Sequence, residues 1–181
     1  MIEIIDYQER WPQEFQTLAD ELREVLGNLA LRIDHIGSTS VPGLAAKDII
    51  DIQLTVEELA PSLIPLITKL GCEHRPVYED HQPPGYTEAE EEWQKLYFRK
   101  LEPRRVHLHV RVAGKANQHY ALLFRDYLRS SPPSARAYAE LKRQLAAHLP
   151  DLDIYSDVKD PACDLIAIAA EAWAKETKWV Q

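Results

Sequence analysis

The sequence predicts an α/β (α+β) fold: a small mixed sheet within about residues 1–115, then a helical half over about 116–181. Three observations carry that expectation. Short apolar runs at 31–36, 48–56, 95–101 and 104–112 have the length and composition of strands. The run at 48–56 is polar only at Asp48, Asp51, Gln53 and Thr55, as in a strand inside a covered sheet. Beyond Asn117 the apolar residues instead recur at helical spacing. At 181 residues the chain reads most simply as one domain, large enough for a substantial core.

Taken in order, Ile2 to Asp6 reads as a short strand. Pro12 suits the first turn of a helix on which Phe15, Leu18, Leu22 and Leu26 share a face, and Gly27 is placed to end it. Leu31 to Ile36 is the next strand and runs into a turn at Gly37. On the strand from Asp48 to Val56, alternation puts Asp51, Gln53 and Thr55 on one face and Ile50, Ile52 and Leu54 on the other. Asp48, three positions from Asp51, belongs to the opposite face. A helix then ends near Gly71, with its start blurred by Pro61 and Pro65.

His74 to Glu79 is a weak strand. The stretch DHQPPGYTEAEEEWQ at 80–94 is a loop, and its cluster of Glu88, Glu90, Glu91 and Glu92 reads as solvated surface. Strands 95–101 and 104–112 form a hairpin around Glu102-Pro103-Arg104. In the helical half, Leu122, Leu123, Phe124, Tyr127 and Leu128 face a core, and Ser130 to Pro133 break the run. Tyr138, Leu141, Leu145 and Leu149 mark a second amphipathic helix. Asp160-Pro161 reads as the cap and first residue of a third, with Leu165, Ile168, Ala172 and Trp173 on its packed face.

Charge and composition exclude several classes. With 29 acidic against 21 basic residues the net charge is −8, so a long nucleic acid is not an expected partner. Cys72 and Cys163 lie far apart with no CxxC spacing, and read as reduced thiols. No apolar window reaches the length of a membrane span, and the N-terminal stretch lacks the pattern of a secretory signal. The expected compartment is the cytoplasm, with no membrane partner. Oligomeric state is not encoded in any readable pattern.

The chemistry concentrates between Asp34 and Thr55, DHIGSTSVPGLAAKDIIDIQLT. A glycine turn with consecutive hydroxyls, Gly37-Ser38-Thr39-Ser40, can cradle a phosphate through amides and hydroxyls. A carboxylate on the next strand, Asp51, can hold a divalent cation against that phosphate. The spacing excludes a Walker A loop, because Lys47 does not follow Gly43 directly. His107 and His109 share a strand face with Arg111. They are candidates for metal, phosphate or acid–base roles, with His35 a candidate third ligand. Lys47, Arg99, Lys100, Arg104, Arg105 and Arg111 supply local positive charge.

The same segment carries a resemblance. Gly37-Ser38 followed by Asp51, with twelve residues between Ser38 and Asp51, resembles the signature of polymerase-β-like nucleotidyltransferases. More closely, HIGSTSVPGLAAKDIIDI resembles the signature of the GrpB-like family, found alone or fused to dephospho-CoA kinase. VHLHV at 106–110, FRDYLRSSP at 124–132, YAELKRQLA at 138–146, and Tyr155 with Lys159 extend it along most of the chain. The resemblance implies a nucleotidyltransferase-like core that binds Mg²⁺ and a nucleoside triphosphate or related small phosphate ligand. Asp51 and His109 are then the expected catalytic residues. Gly37, Ser38, Thr39, Ser40, Lys47, Arg99 and His107 are the expected phosphate contacts, and Asp51 with Gln53 the expected metal ligands. Gln53 stands where the superfamily has a second acid, and an amide brings no charge. Three functions follow: nucleotidyl transfer to a small acceptor, non-catalytic binding of a nucleotide or CoA-like ligand, or metal-dependent hydrolysis using the histidines.

Overall fold

Apolar residues at helical spacing and a proline near its start produce the first helix, α1 (Trp11–Leu26), which ends where Gly27 adopts φ +52°. The computed structural model describes residues 2–149 and 151–181, with the backbone alone at 152 and 153. Strands β1 (Arg32–Ile36) and β2 (Ile50–Val56) follow, then the short helix α2 (Leu63–Thr68) and strand β3 (Glu73–Arg75). β4 (Leu96–Lys100) and β5 (Val106–Val112) complete a five-stranded sheet in the order β1-β2-β5-β4-β3. β2 and β5 pair in parallel and every other pair is antiparallel, so the sheet is mixed. Three helices close the chain: α3 (Ala116–Ser130), α4 (Pro132–His148) and α5 (Leu152–Thr177).

The sheet has two unlike faces. Alternation sends Ile50, Ile52 and Leu54 of β2, Leu108 and Val110 of β5 and Phe98 of β4 to one side, where α1 and α2 cover them with Trp11, Leu22, Leu26, Leu63 and Ile67. Each such side chain contributes about 1.5–3 kcal/mol of burial. The other face carries Asp51, Gln53, His107, His109 and Arg111. A second cluster, built from Val41, Leu44 and Ala45 with Leu128, Ala135, Tyr138 and Ala139, ties the segment after the Gly37 turn to α3 and α4. The polar face therefore looks toward the C-terminal helices.

Three expectations are corrected. Ile2 to Asp6 forms no strand, only a single bridge between Ile5 and Ala46. The last helix does not begin at Asp160-Pro161: α5 starts at Leu152 and carries Pro161 in its interior. An interior proline costs roughly 3 kcal/mol. Buried Tyr155 before it and Ala167 and Ala170 after it hold both halves against α3 and α4. Those residues also fix the packed face, so Leu165 and Ile168, expected inside, point outward at 71% and 53% exposure.

Candidate functional site

Residues paired across neighbouring strands share a face, so the register places Asp51 beside His107, Gln53 beside His109 and Thr55 beside Arg111. Asp51, His107, His109 and Arg111 of this row, the Gly37 turn and residues of α3, α4 and α5 line a cavity of about 360 Å³. Its floor is polar, and Tyr120, Phe124, Tyr138 and Tyr155 form an aromatic wall opposite.

Gly37 links turn to carboxylate. It adopts φ +67°, ψ −173°, a conformation nearly confined to glycine. A side chain there would meet Asp51 Oδ2 at 2.4 Å and Asp51 Cβ at 2.8 Å. Having no side chain, this glycine leaves room for the Asp51 carboxylate, and it also lines the cavity. Asp51 Oδ1 also lies 3.3 Å from His107 Nδ1, which fixes the carboxylate between turn and strand.

The hydroxyls that follow diverge. Ser38–Ser40 form one turn of 3₁₀ helix, too short to act as a helix terminus. Ser38 faces the cavity, and its Oγ accepts a hydrogen bond from Lys142 at 2.8 Å. Thr39 is buried; its Oγ1 donates to Ile49 O at 3.2 Å and meets His35 Nε2 at 2.9 Å. Ser40 Oγ donates to Gly37 O at 2.6 Å, and its carbonyl accepts Arg129. Thr39, which also lines the cavity, and Ser40 thus use their hydroxyls to shape the turn.

Three lysines bring the positive charge. Lys47 lines the cavity with Nζ 4.2 Å from the centre of the Tyr155 ring and, among the described residues, makes no side-chain hydrogen bond. Lys142, 3% exposed, reaches in from α4; besides Ser38 it donates to Ala45 O at 2.6 Å. Lys159 on α5 donates to Cys163 Sγ at 3.3 Å and Asp160 Oδ1 at 3.4 Å. Burial, followed by repulsion from Lys159, lowers Lys47 and brings Lys142 down to about 7. Burial also lowers Lys159, but Cys163 and Asp160 outweigh it and hold this amine above the ordinary lysine value.

Lys142 and Lys159 were not among the expected site residues. The signal was present: Lys142 is four residues after Tyr138, and Lys159 lies midway between Tyr155 and Cys163. Each is thus a charge on the packed stripe of its helix, where a cation is expensive unless something meets it.

Elsewhere the expected residues have other work. Gln53 is fully buried; its Oε1 accepts Arg111 at 2.7 Å and its Nε2 donates to Gln118 O at 3.1 Å. Arg111 is in turn held by Asp80 at 2.8 and 2.9 Å, so its charge is matched within the protein. Lys95 also reaches Asp80, at 2.6 Å, and these charges hold the Asp80 carboxyl far below its usual range against the penalty of burial. Burial, then Arg111 and Lys95, push His109 well below the ordinary imidazole range. That shift favours the neutral imidazole, whose Nδ1 faces the Arg111 guanidinium at 3.5 Å. Arg99 shares the face of His107 but lies one strand further out and does not line the cavity. His35 is on the opposite face, stacked 4.8 Å from Phe15, and burial lowers it to about 4. It cannot join His107 and His109 around a metal.

The donor set does not fit a magnesium ion held by the protein. Among the described residues Asp51 is the one carboxylate lining the cavity, and the amide oxygen expected as its companion already accepts a guanidinium. Hard divalent cations take several oxygen ligands, and no group of three or more acidic, histidine or cysteine side chains is suitably placed among the described residues.

A five-stranded mixed sheet with helices against both faces, a glycine turn seated on a strand carboxylate and a lysine-rich cavity beneath the C-terminal helices define a small α/β domain. The chain belongs to the GrpB family, which it matches over residues 1–168 under the description "GrpB protein". It is 36% identical over 174 residues to a UPF0157 protein of Halalkalibacterium halodurans, covering 94% of this chain and 83% of that one. It is 35% identical over 188 residues to a protein named dephospho-CoA kinase from Mycolicibacterium paratuberculosis, covering 93% of this chain but 46% of the kinase. The chain thus spans about half the length of that relative. Among solved structures it is similar to the conserved protein GrpB from Enterococcus faecalis, with a TM-score of 0.74, 34% identity and coverage of 94% of this chain and 99% of that one. Among the described residues no helix is long and apolar enough to cross a membrane.

Proposed function

We propose that the cavity over the Gly37 turn binds a small phosphorylated ligand, a nucleotide or CoA-like molecule. The observation that carries this reading is the convergence of Lys47, Lys142 and Lys159 on one cavity of about 360 Å³ in a chain of net charge −8. Buried ammonium groups facing one another repel, and an anion between them relieves both the repulsion and the lost hydration. The aromatic wall of Tyr120, Phe124, Tyr138 and Tyr155 offers a surface for the uncharged body of the ligand. A volume of this size lies within the range for small-molecule sites, ~300–1,000 Å³. CoA belongs among the probes because relatives of this chain carry the name dephospho-CoA kinase.

Thermal unfolding in the presence of nucleoside mono- and triphosphates and CoA, with and without Mg²⁺, tests the reading. A ligand present at a hundred times its Kd stabilises the fold by about 2.7 kcal/mol. An unchanged melting temperature with every probe at millimolar concentration contradicts it.

One observation favours a second reading, nucleotidyl transfer with Mg²⁺: the carboxylate of the Gly-Ser…Asp signature, Asp51, is fixed against the turn. Because the described residues offer no second carboxylate to the cavity, magnesium on this reading arrives with the ligand's phosphates. Release of pyrophosphate from a triphosphate in the presence of small-molecule acceptors separates transfer from binding.

A further inference from the structure

We propose that lysine ammonium groups take the place of a divalent cation in this cavity, so that a terminal phosphate is bound by Lys142, Lys47 and Lys159 beside Ser38 without metal. The inference rests on the reading of the cavity as a phosphate-ligand site and specifies how that site meets the charge.

Three features lead to it. The position expected to supply the second metal ligand is closed: Gln53 Oε1 accepts Arg111 at 2.7 Å, and Arg111 is anchored to Asp80. A guanidinium bonded to that oxygen repels any cation brought to it. Among the described residues Asp51 alone contributes negative charge to the cavity lining, against three ammonium groups. The metal-ligand inventory is thus short where the anion-binding inventory is full.

Lys142 is the best-placed cation. An ammonium has three donors. Two are fixed on Ser38 Oγ at 2.8 Å and Ala45 O at 2.6 Å, which aims the head group and leaves one donor for a ligand. Tyr138, with its ring centre 4.6 Å from Nζ, supports the charge from behind. Lys47 stands over Tyr155 with its donors uncommitted among the described residues, and Lys159 is steadied by Cys163. The three come from the segment after the turn, from α4 and from α5, so only the closed fold assembles them. A phosphate monoester end, which carries up to two charges, matches this arrangement better than an internal phosphodiester.

The test is calorimetric titration of the full chain with adenosine 5′-monophosphate and 5′-triphosphate, first in EDTA and then with excess MgCl₂. The expected result is binding in EDTA that magnesium changes by less than about threefold. Affinity falls at least tenfold in Lys142→Met and also in Lys47→Met, whose half-buried side chain makes it the safer variant for folding. Binding that requires magnesium overturns this inference while leaving the phosphate-site reading intact. Binding in EDTA that both lysine variants retain at full strength also overturns it, because the phosphate then lies elsewhere. Absence of binding in both conditions overturns this inference for nucleotides, and the phosphate-site reading falls with it if CoA also fails to bind.

Discussion

Replacing Gly37 by alanine probes the seat of Asp51 directly. Two costs combine. A non-glycine residue at φ +67°, ψ −173° is strained by about 1–3 kcal/mol. The new Cβ would also stand 2.4 Å from Asp51 Oδ2 and 2.8 Å from both Asp51 Cβ and Cγ, where β2 cannot retreat without breaking register. Overpacking of that kind costs a further ~1–3 kcal/mol. The sum, roughly 2–6 kcal/mol, is a large share of an ordinary domain's stability. For a chain of this length it lowers Tm by about 4–24 °C. Gly43→Ala is the control: its φ is +78°, but nothing lies within 4 Å of an added Cβ, so it bears backbone strain alone. Urea and thermal unfolding of the two variants should show Gly37→Ala less stable by the collision energy. Adding Asp51→Gly should recover that difference. Equal stability of Gly37→Ala and Gly43→Ala would refute the claim that the turn and the carboxylate are packed as one unit.

Other expectations follow from the same contacts. His35 is lowered by burial from 6.5 to about 4, so the unfolded chain takes up its proton first. Stability therefore falls by roughly 3 kcal/mol as pH drops through that window; denaturant midpoints of His35→Gln should show a shallower slope, and an identical slope would contradict the assignment. Asp80→Ala leaves Arg111 and Lys95 buried without their carboxylate and should cost about 3–5 kcal/mol in urea unfolding; a loss under 1 kcal/mol would be inconsistent with that network. Asp51→Asn removes the negative charge of the cavity lining and should tighten phosphate binding a few-fold in titration. Asp48→Asn breaks ion pairs with Arg10 and Arg104 outside the cavity and should leave affinity alone. Lys142 is lowered to about 7, so phosphate affinity should fall as pH rises above that value and the ammonium is lost. Ser38, the Ala45 carbonyl, Asp51, Tyr138, Arg143, Lys159 and Cys163 are the groups that act on Lys142; an affinity flat from pH 6 to 9 would contradict a charge role for it.

The strands of the sheet were legible from residue type: in β2 apolar and polar side chains alternate from Ile50 to Val56, the apolar set lying under α1 and α2. The glycine turn and Asp51 were legible for a different reason: a local signature places them. Three things were not. Gln53 has the same strand position whether it meets a metal or Arg111, and the choice depends on Asp80, twenty-seven residues further on in a loop with no periodic signal. His35 alternates onto the apolar face, which the pattern of β1 is too short and mixed to reveal. The lysines of α4 and α5 are local anomalies whose meaning lies in tertiary structure, since only the fold brings them within reach of Ser38 and Lys47. Asp160-Pro161 misled because cap chemistry is a local preference, and packing on both sides of the proline outweighs it.

A crystal structure of the protein with adenosine 5′-monophosphate and EDTA tests the central claim most directly. The account predicts the phosphate in the cavity over the Gly37 turn, within hydrogen-bond distance of Lys142 Nζ and Ser38, with no metal between phosphate and Asp51. A phosphate bound on the outer part of the sheet near Arg99, or anywhere away from these lysines, would contradict it.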